Sequence, residues 1–183
     1  MSSPAHAPAS VQVWDLPLRI FHWALTASVL IAWFSANVFD TVHEIAGYTV
    51  IGLISFRFVW GFVGTRHSRF RALVRQLRVM PHYVWHLARG QTGRYLGLNP
   101  AGAVMAAALL TLLAISTISG LMQISQRFFG VAWVEAVHTY SSNFALILVI
   151  VHVLGVLLMC VLQRENLVRA MITGRKRERA SDT

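Results

Sequence analysis

Read for its apolar and polar positions, the chain alternates long hydrophobic runs with short polar, arginine-rich ones. Four of the runs, Leu18 to Val38, Glu44 to Val63, Ala101 to Ile124 and Val134 to Leu162, are each about 20 residues or longer. A helix of about 20 residues crosses a hydrocarbon core roughly 30 Å thick, so the pattern predicts four spanning helices. Pro17 stands at the start of the first run and Asn99-Pro100 opens the third, positions that suit the first turn of a helix. Residues 1 to 13 are rich in Ala, Ser and Pro, without periodicity, and are predicted to form a disordered lead. A cleaved signal peptide is not expected, because Arg19 is the first basic residue and the run after it is too long for a signal h-region.

The segment between the second and third runs, 65–100, carries shorter amphipathic pieces. Phe70 to Val79 and Pro81 to Gly90 mix basic and apolar residues at roughly helical spacing. They suit helices lying in the headgroup layer, arginines towards anionic lipid, or equally a solvated basic loop.

Composition agrees with this frame. Of 183 residues, 56% are hydrophobic and only 13% charged, outside the range of soluble domains and inside that of polytopic membrane proteins. The fold class expected is an all-α membrane protein, a single-domain four-helix transmembrane bundle. The net charge of +9 could suit nucleic acid, but the basic residues cluster beside apolar runs, which argues for a membrane surface and against nucleic acid. Cys160, the one cysteine, lies in an apolar run, so neither a disulfide framework nor a thiolate metal site is available, and a buried small side chain is expected there.

Charge also orients the bundle. The 65–100 segment holds Arg66, Arg69, Arg71, Arg75, Arg78, Arg89 and Arg94 and no acid, and the tail adds Arg164, Arg169, Arg175, Lys176, Arg177 and Arg179. The opposite loops hold Asp40 and, among basic residues, only Arg127. By the positive-inside rule both termini and the 65–100 loop face the cytoplasm, which in a bacterium makes the protein a multi-pass component of the inner membrane.

Histidines then supply the candidate chemistry. His6 lies in the lead, and His67, His82 and His86 lie in the loop, where an imidazole needs no special account. His22, His43, His138 and His152 lie in or at the edge of spans, where an ionisable side chain is a functional-site hypothesis by default. His138 and His152 are fourteen residues apart on the fourth run, nearly four turns and about 21 Å along one face. With the orientation above, His43 pairs with His138 at the outer level and His22 with His152 at the inner one. The inner pair is imperfectly level, since His22 follows Arg19 closely whereas His152 precedes Arg164 by twelve residues.

Zinc, a proton relay and haem can each use paired histidines. Zinc wants three or four donors, and although Glu44 and Glu135 are near the outer pair, nothing comparable accompanies the inner one. A relay wants polar groups at intermediate depth, where these helices are mostly Leu, Ile, Val, Ala and Phe. Haem b needs two axial imidazoles and an apolar slot, and fits best. Gly47 and Gly155, each about a turn from a histidine, allow either close approach of a macrocycle or helix packing. Arg57, fourteen residues after His43, is a candidate partner for a haem propionate, against the alternative of snorkelling to the surface. Arg19, one turn before His22, is a second and weaker candidate.

His22 in PLRIFHW, His43 in HEIAGY, the run FRFVWGFVGTRHSRF, the pair VHTYSSN and VHVLG, and the tail RENLVRAMITGRKR together resemble the bacterial cytochrome b561 family, related to the b-type cytochrome subunits of nickel-iron hydrogenases. The resemblance runs from about Trp14 to Arg177. It implies four transmembrane helices, two b-type haems ligated by His22, His43, His138 and His152, and electron transfer involving quinone. The leading expectation is a dihaem cytochrome that moves electrons between the quinone pool and a periplasmic partner, a c-type cytochrome or hydrogenase. An alternative is a stand-alone superoxide:quinone oxidoreductase, and a second is a haem-free anchor with structural or metal-binding histidines. Membrane lipid is the expected surround, and a homodimer is compatible with the sequence.

Overall fold

The computed structural model describes residues 10–66, 68–89 and 95–177. His6, His67, Gly90, Arg94 and Arg179 lie outside the described residues. Four long helices form the body: α1 (Leu16–Ser35), α2 (Asp40–Val63), α5 (Pro100–Gln123) and α6 (Ala132–Gln163), with α3 (Phe70–Arg78) and α4 (Met80–Ala88) between α2 and α5, and α7 (Leu167–Thr173) after α6. The four long helices are long and apolar enough to cross a membrane, and α6 is the most apolar. They coincide with the four expected runs, each shifted by a few residues at its ends.

Local chemistry explains those ends. The Asp15 carboxylate caps α1 by accepting from the Leu18 N–H at 2.8 Å, and Asn99 caps α5 by accepting from the Gly102 N–H at 2.6 Å. α6 stops at Arg164, a non-glycine residue in the left-handed region at φ 48°. Within the spans, Thr26, Ser35, Thr49, Thr117, Ser119 and Ser141 donate to carbonyls one turn back, so these hydroxyls are satisfied without water.

Packing divides the body into two helical hairpins. α1 packs along α2 and α5 along α6, and the hairpins meet chiefly where α2 touches α5. α6 makes few close backbone approaches to α1 or α2. α3 and α4 both rest on α5.

The expected disordered lead needs correction. Ser10–Gln12 forms a strand, β1, paired antiparallel with β2 (Arg175–Arg177), Ser10 opposite Arg177 and Gln12 opposite Arg175. The first and last described segments therefore meet at one end of the bundle, and a small sheet accompanies an otherwise helical fold. Lys176 is buried there, its Nζ donating to the Tyr95 carbonyl at 3.1 Å, which ties the α4–α5 connection to the tail. This sheet, α3, α4 and α7 lie at the end where α1 begins and α6 finishes, so the basic segments gather at that end. Cys160 is half-buried, and its sulfur accepts from the Leu167 N–H at 3.2 Å at the start of α7.

Two facing histidine pairs

His22 enters from the first turns of α1 and His152 from the distal half of α6. Their ring centroids are 6.4 Å apart, with the planes inclined by 62°. His43, in the first turn of α2, faces His138 of α6 at 6.1 Å and 88°. All four sequence-predicted histidines are thus brought together in the two expected pairs. α1 and α2 begin at opposite ends of their hairpin, so the pairs sit at two levels. The unevenness expected of the inner pair is absorbed by α6, which at 32 residues is about 48 Å long and overshoots the hydrocarbon core.

The imidazoles of the His43–His138 pair are held from behind. His43 Nδ1 lies 2.8 Å from the Ala32 carbonyl of α1, and His138 Nδ1 lies 2.8 Å from the Ser116 carbonyl of α5. Each Nδ1–H donates to its carbonyl, which leaves Nε2 as the free lone pair, the arrangement by which ligand histidines are commonly oriented. Gly120 completes this site: a Cβ there would stand 3.1 Å from the His138 ring. α5 carries no histidine of its own, yet it fixes the outer one through a backbone carbonyl and a missing side chain. Neither contribution has a signature in sequence, apart from a glycine inside an apolar run.

Space lies beside the pairs. A Cβ added at Gly47, Gly52 or Gly155 would meet no atom within 4 Å. Gly47 and Gly155 are therefore not helix-packing glycines, and they face open room about one turn from His43 and His152. Among the described residues no group of three or more His, Cys, Asp or Glu side chains converges. A tetrahedral zinc site would lack donors at both levels.

Arg57 is half-buried, and among the described residues it is within ion-pair distance of no carboxylate. Its guanidinium lies over the Phe70 ring, 5.0 Å from the centroid, and its Nη1 is buried without a hydrogen-bond partner. Arg19 donates through Nη2 to the Ile172 carbonyl of α7, and its Nε is likewise buried and unpartnered. Arg19 is therefore in part a clamp on the C-terminal segment. Buried cationic donors left unmatched are costly, and an anionic group at this end of the bundle would satisfy both.

Beside them stands a residue with no sequence signal beyond its place before a helix. Asp15 accepts from Leu18 N–H, from Thr65 Oγ1 at 2.5 Å, from Ser68 Oγ, and from Trp60 Nε1 at 3.3 and 3.4 Å. Burial alone would raise its carboxyl, but the hydrogen bonds from Ser68, Thr65, Leu18 and Trp60 outweigh burial and hold it below the usual carboxylate range. Asp15 so pins the start of α1 to the turn between α2 and α3, next to Arg57.

Four apolar helices long enough to span, arranged around two facing imidazole pairs, describe a polytopic helical membrane bundle. Residues 13–174 match the family model for prokaryotic cytochrome b561, and the chain belongs to that family. It is a multi-pass membrane b-type cytochrome that binds haem b, consistent with electron transfer. No curated protein and no solved structure matches the chain.

Proposed function

We propose that the protein is a dihaem b-type cytochrome of the bacterial inner membrane, passing electrons between the quinone pool and a periplasmic redox partner, a c-type cytochrome or hydrogenase. His22 with His152 hold one haem and His43 with His138 the other. The observation that carries this reading is the separation of the rings across the gap between α6 and the α1–α2 hairpin. With a metal–imidazole bond of about 2 Å and ring centres about 1 Å behind the bonding nitrogen, a pair of imidazoles that together held one iron could have centroids up to about 6 Å apart. The pairs stand at 6.4 and 6.1 Å. The open room beside Gly47 and Gly155 suits a macrocycle at each level.

When bound, haem b supplies a one-electron couple. The chain's own groups do the rest. The Ala32 and Ser116 carbonyls orient the outer imidazoles and strengthen them as donors. A haem held by His22 with His152, or by His43 with His138, would have a histidine from each of two helices, a donor set that favours electron relay over ligand chemistry at iron. Arg57 Nη1, and more weakly Arg19 Nε, offer donors to a propionate of the inner haem. Membrane sidedness follows the charge: the basic end, with both chain ends and the 65–100 segment, faces the cytoplasm.

A reduced-minus-oxidised spectrum of the purified protein, combined with haem and protein assays, tests the reading. A ratio of about two haems per chain and two resolved potentials are expected, and a ratio near zero or one overturns the dihaem assignment. Co-purification with a periplasmic cytochrome or hydrogenase supports the relay. Rapid haem reduction by superoxide without any protein partner would favour the stand-alone oxidoreductase instead.

A further inference from the structure

α4 carries a third pair of imidazoles, outside the membrane spans and unused by the function proposed above. His82 and His86 are four residues apart on one face of this helix, and their Nε2 atoms are 3.0 Å from each other. The ring centroids are 4.2 Å apart with an interplanar angle of 55°, so the rings converge at their nitrogen edges. His82 is exposed and His86 half-buried.

That nitrogen separation is the bite of a chelate. Two imidazole nitrogens each about 2.0–2.1 Å from one divalent ion are about 2.9 Å apart at a right-angled coordination geometry and about 3.3 Å at a tetrahedral one. The observed 3.0 Å falls within this interval. Both nitrogens therefore already stand where a shared ion would hold them, and water can reach the remaining positions from the exposed side.

The surroundings select the kind of ion. Arg78 ends the neighbouring α3, and Arg89 follows α4 with its guanidinium stacked on Trp85, 3.4 Å from the ring centroid. The whole 65–100 segment contains no acid. Hard cations that want carboxylate or carbonyl oxygens, such as Mg2+ and Ca2+, have nothing to bind, and nearby positive charge repels them. Borderline ions that bind neutral imidazole strongly enough to overcome that repulsion remain, with Cu2+ tightest in the first-row order and Zn2+ weaker.

We propose that His82 and His86 form a two-histidine site for a late first-row divalent ion, Cu2+ above Zn2+, on the loop side of the protein. The ion would take the place of the hydrogen bond between the two Nε2 atoms.

The experiment adds Cu2+ to the purified, haem-loaded full-length protein against a competing chelator, with electron paramagnetic resonance as readout. One Cu2+ per chain with two nitrogen ligands is expected, unaffected by excess Mg2+, with the haem spectrum unchanged. His82→Ala and His86→Ala should each weaken binding at least tenfold and remove one nitrogen from the spectrum, and Zn2+ should compete in the parent protein alone. Because both substitutions place a good helix former on a solvent-facing turn, the haem spectrum serves as the folding control. Copper binding unchanged in either variant, or binding that perturbs the haem spectrum instead, overturns the site.

Discussion

Asp15→Ala tests how the inner end of the bundle is held. The substitution removes an acceptor that serves the Leu18 N–H, Thr65, Ser68 and Trp60 at once. Loss of the helix cap costs about 1 kcal/mol. Each of the other three donors loses a bond worth about 1 kcal/mol net. The full penalty for unsatisfied groups applies to only one of the two hydroxyls, because either Thr65 or Ser68 can donate to the other across their contact at 3.1 Å. The expected loss is about 3–4 kcal/mol. At about 2–4 °C per kcal/mol for a chain of this size, the midpoint of thermal unfolding, followed by Soret absorbance in detergent, falls by roughly 6–16 °C. Asp15→Asn keeps an acceptor for Leu18 and should lose less than half as much. The pH dependence has a definite sign. The folded carboxyl lies below its ordinary value of 3.8, so the contribution is fully present above that value and disappears as pH falls through the folded pKa. The gap between parent and Asp15→Ala should thus be constant from neutral pH down to about pH 5 and narrow only below the ordinary value. A shift under 2 °C for Asp15→Ala, or an asparagine variant as damaged as the alanine one, would refute the hub.

Three further outcomes follow from the pairing. His138→Ala should abolish one spectral and potentiometric component and His152→Ala the other, each leaving the remaining one; loss of the same component in both variants means the pairing is wrong. Arg57→Leu should lower the potential of the component that His152→Ala removes, by about 60 mV for each 1.4 kcal/mol of lost charge stabilisation, and an unchanged redox titration would rule out contact with a propionate. Gly120→Val should displace the His138 ring, since even the first added carbon would stand 3.1 Å away; the outer component should be lost with the inner one retained, as checked by haem content and the difference spectrum.

Much of this architecture is legible from residues alone, for a physical reason. A membrane leaves few ways to satisfy a backbone and makes every imidazole inside it conspicuous, so the spans at α1, α2, α5 and α6 and the pairing of His22, His43, His138 and His152 follow from apolar length and charge placement. What escapes depends on contacts without a residue signature. The Ala32 and Ser116 carbonyls that orient the outer histidines belong to the backbone, which every residue possesses. Asp15 stands just before the first apolar run with nothing to mark it, and only the fold brings Thr65 and Ser68 to it. Ser10–Gln12 looks disordered because the strand has no pattern of its own; its partner lies more than 160 residues away at Arg175–Arg177. His82 and His86 were unremarkable in a basic loop until α4 placed them one turn apart.

α6 explains why two levels arise from so few residues. Fourteen residues at about 100° each return the second imidazole to within about 40° of the first. That offset keeps both on one face, yet it turns them enough to address two helices standing side by side. The partners come from α1 and α2, which pack along one another. Each offers its histidine near its own beginning, and in an antiparallel hairpin the beginnings are at opposite ends. The hairpin therefore sets which level each partner occupies, while the α6 spacing sets the distance of about 21 Å between levels. Because that distance is shorter than a core of roughly 30 Å, a bundle centred in the bilayer would hold each pair within a few ångströms of a different membrane surface. On the proposed dihaem reading, two such stations would bring a redox group close to both faces, which a single pair at mid-depth could not do.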